Sequence, residues 1–474
     1  MTAWAIFAPE LSLFGGALLF LVLAMGKHTR PRVDFLAALA AAALAIVVGL
    51  ASLKAEGVLF GQSYQIDLFS QVFKVLLSMG LFLVVCICGD VKGVAERHHP
   101  EFYLLLFTCT LAMMLLTSTV HLLSIYVALE LSSYSLYVLV ALRRTRELAV
   151  AAALKFFIVG IVSSAVMLCG LALLYGSTGA VYLNELARAL PAAADQPLVQ
   201  VGLLLTLCGF FFKLAVFPFH IWAPDTYQSA AHQVTAYIAT ASKIGAIAIL
   251  VRMASVSGSS PYLVHVLVAL SILSMTVGNL AAVAQKDMKR LFAYSSIAQA
   301  GYVLIGILSL TPEGYAASIF YSLALLVMSF TCFLVLVVVA SDGADIDVAQ
   351  LAGLHRRSPL LAMALMMSVF SLAGIPPTIG FTGKFLIFNA AIERGHLPLV
   401  LIAMANVVIS LYYYLMVVRA AYLLEPASEL PRLPVSPAMK LLTGVLVAAM
   451  VICGIYPTLV LELSSSAAAV LLKL

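Results

Sequence analysis

Fourteen stretches of about 20 mostly apolar residues, joined by short polar connections, limit what this chain can fold into. They begin near residues 5, 33, 69, 101, 121, 149, 198, 233, 262, 290, 314, 359, 399 and 436. Hydrophobic residues make up 64% of the 474 and charged residues 10%, whereas soluble domains average about 25% charged. No soluble interior of this size hides that much apolar side chain, so the remaining solvent is lipid. The expected fold is all-α: a polytopic membrane protein with about 14 transmembrane helices. The first basic residue, Lys27, follows the first apolar run, so that run is expected to remain as a span rather than be cleaved as a leader.

The basic residues are distributed unevenly. Loops after odd-numbered spans hold Lys27, Arg30, Arg32, Lys92, Arg97, Arg143, Arg144, Arg146, Lys286, Lys289, Arg290, Arg356, Arg357, Arg419, Arg432 and Lys440, which is 16 of the 26. Loops after even-numbered spans and the C-terminal tail hold Lys54, Arg188, Arg252, Arg394 and Lys473. By the positive-inside rule the odd-span loops face the cytoplasm, and both termini lie on the other side of the cell's inner membrane. The net charge of +5 therefore reflects topology, and no nucleic-acid partner is expected.

Five lysines remain: Lys74, Lys155, Lys213, Lys243 and Lys384, all within apolar spans. Glu130 joins them near mid-span. An ionisable group at the bilayer centre costs at least ~2.5 kcal/mol, so this many argue for use. Lys213 and Lys243 lie centrally, and Lys155 is moderately deep. Lys74 lies near the end of its span, where a snorkelling stem and a function both remain open. Glu130 is too short to snorkel and must be partnered or protonated. Desolvation favours the neutral amine and a nearby carboxylate favours the ammonium, so a lysine that gains and loses a carboxylate can take up and release a proton. Arginine cannot do this. One deep glutamate cannot pair with all five lysines, and that excess favours transport over fixed salt bridges.

Two spans are interrupted. The seventh carries Pro218 five residues after Lys213, and the twelfth carries Pro376 and Pro377 just before Lys384. Proline breaks a helix, and broken backbone at membrane depth survives only where it lines protein or a wet cavity. Breaks five spans apart predict two inverted five-helix repeats, residues 101–252 and 262–424. Three helices precede them over 1–100, and a C-terminal helix follows over 436–474, all within one membrane domain, 1–474.

The seven cysteines (Cys86, Cys88, Cys109, Cys169, Cys208, Cys332, Cys453) form no CxxC pair and lie in or beside apolar runs. They read as packed thiols, with no metal site and no redox centre expected on this chain.

Several segments carry a resemblance: Tyr126 to Leu131 around Glu130, Phe212 to Tyr227, Ala241-Ser242-Lys243, Asp287 to Ser296, and Gly374-Ile375-Pro376-Pro377 followed by Lys384. Over roughly residues 100–425 the chain resembles the antiporter-like subunits of respiratory complex I and of multi-subunit sodium/proton antiporters. It looks most like the N-type subunit of NADH-quinone oxidoreductase. The M-type usually carries a glutamate at the position of Lys384, and the L-type adds a long C-terminal extension.

The resemblance implies a gating pair of Glu130 and Lys213, a central relay at Lys243, an exit-side Lys384 and a modulating Lys155. His220, Lys289 and Gln299 are accessory positions. Where some relatives have histidine, this chain has Gln299, which implies that the link from Lys243 to Lys384 depends more on water. Ser229-Ala230-Ala231-His232-Gln233-Val234 replaces the frequent Gly-Ala-Pro-Thr-Pro-Val. NADH, FMN, iron–sulfur clusters and quinone are expected in partner subunits, with M-, L-, K-, J-, A- and H-type membrane subunits as neighbours. The alternative is a subunit of a cation/proton antiporter or a membrane-bound hydrogenase. A self-sufficient membrane enzyme would need a nucleophile or metal cluster that the sequence does not offer, and a spacer would not keep so many buried lysines.

Overall fold

The computed structural model describes residues 3–26, 30–143, 147–193, 195–257, 261–340, 342–426 and 431–471. Lys27, Arg144, Arg146 and Lys473 lie outside the described residues. Among the described residues, 13 helices are long and apolar enough to cross a membrane. The chain is a multi-pass membrane protein. Spans 1 to 6 are Ala8–Met25, Pro31–Ala51, Leu68–Cys86, His99–Ser118, Leu122–Ala141 and Glu147–Thr178. Span 7 is split into Pro197–Leu214 and Ala223–Ser229, and span 8 into His232–Ala239 and Ala241–Val256. Spans 9 to 11 are Pro261–Val283, Met288–Leu308 and Pro312–Val339. Span 12 consists of two shorter helices, Pro359–Ala373 and Ile379–Glu393, followed by span 13, Leu397–Leu423.

The end of the chain differs from expectation. The last span is not one helix: Pro437–Ile455 is followed, after Tyr456 and Pro457, by Thr458–Leu471. Pro457 lacks the backbone donor that would continue the ladder. Thr382 Oγ1 donates to Gly454 O at 2.9 Å, so this second-last helix ends against the break in span 12.

Burial separates the central spans from the peripheral ones. Span 8 is almost wholly buried and span 10 nearly so, whereas spans 1, 2 and 14 turn leucine, valine and isoleucine outward. The central spans can therefore carry polar groups that a lipid-facing helix could not.

The loops after spans 5, 9 and 11 meet on one face. There Arg143 pairs with Asp345 at 3.1 Å and Lys289 with the same carboxylate at 2.8 Å. On the opposite face a hairpin of β1 (Gly57–Leu59) and β2 (Tyr64–Ile66) covers the ends of spans 1 and 3. Its register pairs Gly57 with Ile66 and Leu59 with Tyr64, with Phe60 and Gln62 in left-handed backbone at the turn.

Candidate functional site: a line of buried lysines through broken helices

The first half of span 7 ends at Leu214, and Ala215 adopts the left-handed conformation that stops it (φ 62°). Pro218 follows in a non-helical linker that reaches to the second half at Ala223. Ending a helix exposes carbonyls that need donors. Trp222 Nε1 supplies one, donating to Phe212 O at 3.1 Å. Lys213 sits in that last turn, fully enclosed, and its Nζ donates to Ser133 Oγ at 3.2 Å. Ser133 lies one turn beyond Glu130 on span 5, and Glu130 accepts from Ser164 of span 6. Among the described residues Lys213 has no carboxylate within ion-pair distance. The expected gating pair is not in direct contact: Lys213 bonds Ser133, whose hydroxyl donates to Leu129 O, and Glu130 bonds Ser164.

Span 8 carries an interruption that no proline announces. Thr240 leaves the helical region (φ −118°, ψ −90°), its hydroxyl donates to Ala236 O at 2.6 Å, and the helix restarts at Ala241. Lys243 follows in the first turn of the restarted helix. Its ammonium donates to Ser296 O at 3.1 Å and to the Ser296 hydroxyl. Tyr227 of span 7 also reaches that hydroxyl, at 3.3 Å. A cavity of about 20 Å³ opens here, lined by Leu214, Thr240, Lys243, Ser296, Gln299 and Leu372. That volume holds about one water.

Gln299 stands one turn beyond Ser296 on span 10. It accepts from Tyr321 Oη at 2.5 Å and donates to Leu372 O at 3.0 Å. Leu372 belongs to the last turn before the span 12 break, where Gly374 (φ 87°) ends the helix and frees its carbonyls. Lys384 takes both freed groups, donating to Leu372 O at 2.8 Å and Ala373 O at 3.1 Å. Its ammonium also lies 4.4 Å from the Tyr302 ring centre. A Cβ at position 374 would stand 3.1 Å from Lys384 Cδ, so glycine suits both the backbone and the lysine. Lys384 also borders a groove of about 570 Å³ between spans 12 and 13, with Phe381, Phe385 and Met404, that opens on the flank of the bundle.

The remaining expected positions are elsewhere. Lys155 is partly exposed and pairs with Asp225 at 2.5 Å, and Arg290 takes the other oxygen at 2.7 Å. Lys289 is buried at the Arg143 face, where it also donates to Ala230 O at 2.9 Å. His220 lies in the span 7 linker, stacked on Phe217 with ring centres 5.4 Å apart, away from the lysines.

Of the two readings left open for Lys74, the snorkelling one is excluded: it is completely buried, 2.6 Å from Glu10, which is buried as completely. One sequence expectation is corrected. The excess of lysines over carboxylates is smaller than supposed, because Glu10 and Asp225 also serve as partners. Glu10 escapes a sequence reading because it stands at the very start of its span and looks interfacial. Among the described residues no group of three metal-ligating side chains is found.

Helices that cross a membrane, three of them broken beside buried lysines, define an ion-translocating integral membrane subunit. Residues 119–410 match the family described as NADH:quinone oxidoreductase/Mrp antiporter, transmembrane, and the chain belongs to that family. NADH-quinone oxidoreductase subunit N 2 of Syntrophobacter fumaroxidans is 62% identical over 470 residues, covering 99% of this chain and 100% of that protein. A chain of respiratory complex I from Thermus thermophilus, solved with bound aureothin, superposes with a TM-score of 0.84 at 35% identity, covering 96% of this chain and 98% of its own. A chain of the Mrp complex from Dietzia sp. DQ12-45-1b shares the fold (TM-score 0.87, 23% identity, 100% and 98% covered).

Proposed function

We propose that this chain is the N-type, antiporter-like membrane subunit of an NADH-quinone oxidoreductase, a translocase. In this reading it carries protons across the inner membrane while electrons pass from NADH to quinone in other subunits. The observation that carries the reading is the placement of three buried lysines at three helix breaks. Lys213 and Lys243 stand at successive broken spans, and Gln299 joins the line to Lys384 on carbonyls that the third break releases. Lysine at each charged position fits a relay, because an ammonium can give up its proton and a guanidinium cannot.

Glu130 sets the charge around Lys213 without touching it, and Lys155 and Asp225 adjust the edge of the same half. Spans 4–8 and 9–13 are the two inverted repeats, and the odd-span loops face the cytoplasm, leaving both termini outside. FMN, iron–sulfur clusters and quinone belong to partner subunits, with M-, L-, K-, J-, A- and H-type membrane proteins around this one.

Purification of the tagged chain from its native membrane tests the assignment. Flavin- and iron–sulfur-bearing subunits are expected to copurify, and the sealed membranes are expected to take up protons when NADH is supplied. Copurification with cation/proton antiporter or hydrogenase subunits instead would contradict it.

A further inference from the structure

The lysine line leaves one buried titratable pair unused, Glu10 of span 1 and Lys74 of span 3. Both side chains are wholly enclosed, with Nζ and Oε1 2.6 Å apart. Tyr64 of β2 donates to the same Glu10 oxygen at 2.6 Å, and the Lys74 ammonium lies 5.4 Å from the Tyr64 ring centre. Phe7, Phe60 and Tyr64 pack edge to face at 5.5–6.0 Å and close the hairpin over the pair as a lid. The pair therefore lies just beneath the face on which span 1 begins.

Its surroundings differ from those of a fixed structural bridge. Beside it Arg252, at the end of span 8, donates through Nη2 to both oxygens of Asp67 at 3.0 Å. The guanidinium of that pair cannot give up a proton. Glu10 and Lys74 are the exchangeable members of the cluster. The cluster is also incompletely satisfied: Glu10 Oε2, Gln71 Oε1, and Arg252 Nε and Nη1 are buried without a hydrogen-bond partner among the described residues. A buried network kept only for stability is expected to satisfy its members, and one that exchanges protons needs spare donor and acceptor positions. Span 3 packs directly on span 8, the helix that carries Lys243.

We propose that Glu10 and Lys74 form a second proton-binding site, separate from the lysine line, that exchanges its proton with the aqueous face beneath the β1–β2 lid. In the transfer an N–H bond of Lys74 breaks and an O–H bond forms on Glu10, turning the ion pair into a neutral amine and a neutral acid. Glu10 then gives the proton to the aqueous face and is again a carboxylate, and Lys74 regains a proton from the interior of the bundle. One proton passes and both charges are restored. Tyr64 keeps its own proton throughout, because burial and then the adjacent Glu10 charge push its hydroxyl well above the ordinary range.

This site rests on the reading of the chain as a proton carrier, and the test separates the two. Proton uptake per NADH oxidised is measured in sealed vesicles holding the assembled complex, for wild type, Lys74→Arg, the double variant Glu10→Gln/Lys74→Met, and Lys243→Met. Lys74→Arg keeps the charge and the bridge but cannot release a proton, and the double variant leaves no orphan charge in the core. Both are expected to assemble and to lose proton uptake relative to NADH oxidation. Uptake at the wild-type ratio in either assembled variant, with Lys243→Met defective, would overturn this site alone and leave a structural bridge. Uptake at the wild-type ratio in assembled Lys243→Met would overturn the broader reading.

Discussion

Gln299 and Lys384 converge on one backbone oxygen, the carbonyl of Leu372, at 3.0 and 2.8 Å. That oxygen is available because span 12 breaks at Gly374, two residues later. A neutral side chain thereby joins two halves of a charged line, with Tyr321 holding its acceptor end. Gln299→Leu strips Leu372 O of one donor and leaves the Tyr321 hydroxyl without its acceptor. Lys384 still satisfies Leu372 O, but the orphaned Tyr321 hydroxyl costs about 1–3 kcal/mol, so a lower melting temperature and weaker proton uptake are expected. Gln299→His keeps a donor and an acceptor and is expected to retain most uptake. Equal uptake by the leucine variant and wild type would remove Gln299 from the line.

In the proposed relay Glu130 acts on Lys213 through its charge, since Lys213 bonds Ser133 and Glu130 bonds Ser164 with no direct contact between the two. Glu130→Asp keeps that charge with a shorter reach, and Glu130→Gln keeps the shape and loses it. Asp is expected to retain substantially more proton uptake than Gln at equal assembly. The opposite order would mean that geometry, not charge, is what Glu130 supplies.

The spans were legible because hydropathy is a property of consecutive residues, and the breaks at Pro218 and Pro376 because proline declares itself. Lys213, Lys243 and Lys384 stood out for the same reason, as charges inside apolar runs. The interruption at Thr240 was not legible: no proline or glycine marks it, and tertiary packing sets it. The partnership of Glu10 with Lys74 was equally hidden, since 64 residues separate them and only the folded bundle brings them within 2.6 Å. The Gln299 contact needed the freed carbonyl as well as the side chain, and sequence displays only the side chain.

At the Arg143 face, Lys289 is buried and Asp345 is its counter-charge. Burial alone would raise the Asp345 carboxyl, but Lys289 and Arg143 outweigh it and hold it below the ordinary carboxylate range. A folded-state value below the unfolded one contributes stability that is fully present above the unfolded value of about 4 and is lost as pH falls through the folded value. Asp345→Asn leaves charges in the core unopposed and is expected to cost about 3–5 kcal/mol at pH 7. The gap between variant and wild-type melting temperatures is expected to narrow as pH falls below about 4. A gap unchanged between pH 7 and pH 3 would show that this pairing does not hold the face.

Topology has its own test. On a background without the seven native cysteines, Glu393→Cys is expected to react with an impermeant reagent from the non-cytoplasmic side, and Arg97→Cys only from the cytoplasmic side. Reversed labelling would invert the assignment of both faces.

The relay itself is tested most directly at Lys213. Lys213→Arg preserves the positive charge and can still donate to Ser133, but it cannot release its proton. The measurement is NADH-driven proton uptake into sealed vesicles containing the variant complex, with assembly verified on native gels. The relay predicts an assembled complex whose proton uptake is lost or severely reduced. Near-normal uptake by assembled Lys213→Arg would mean that Lys213 serves only as a fixed charge, and would contradict the relay at this residue.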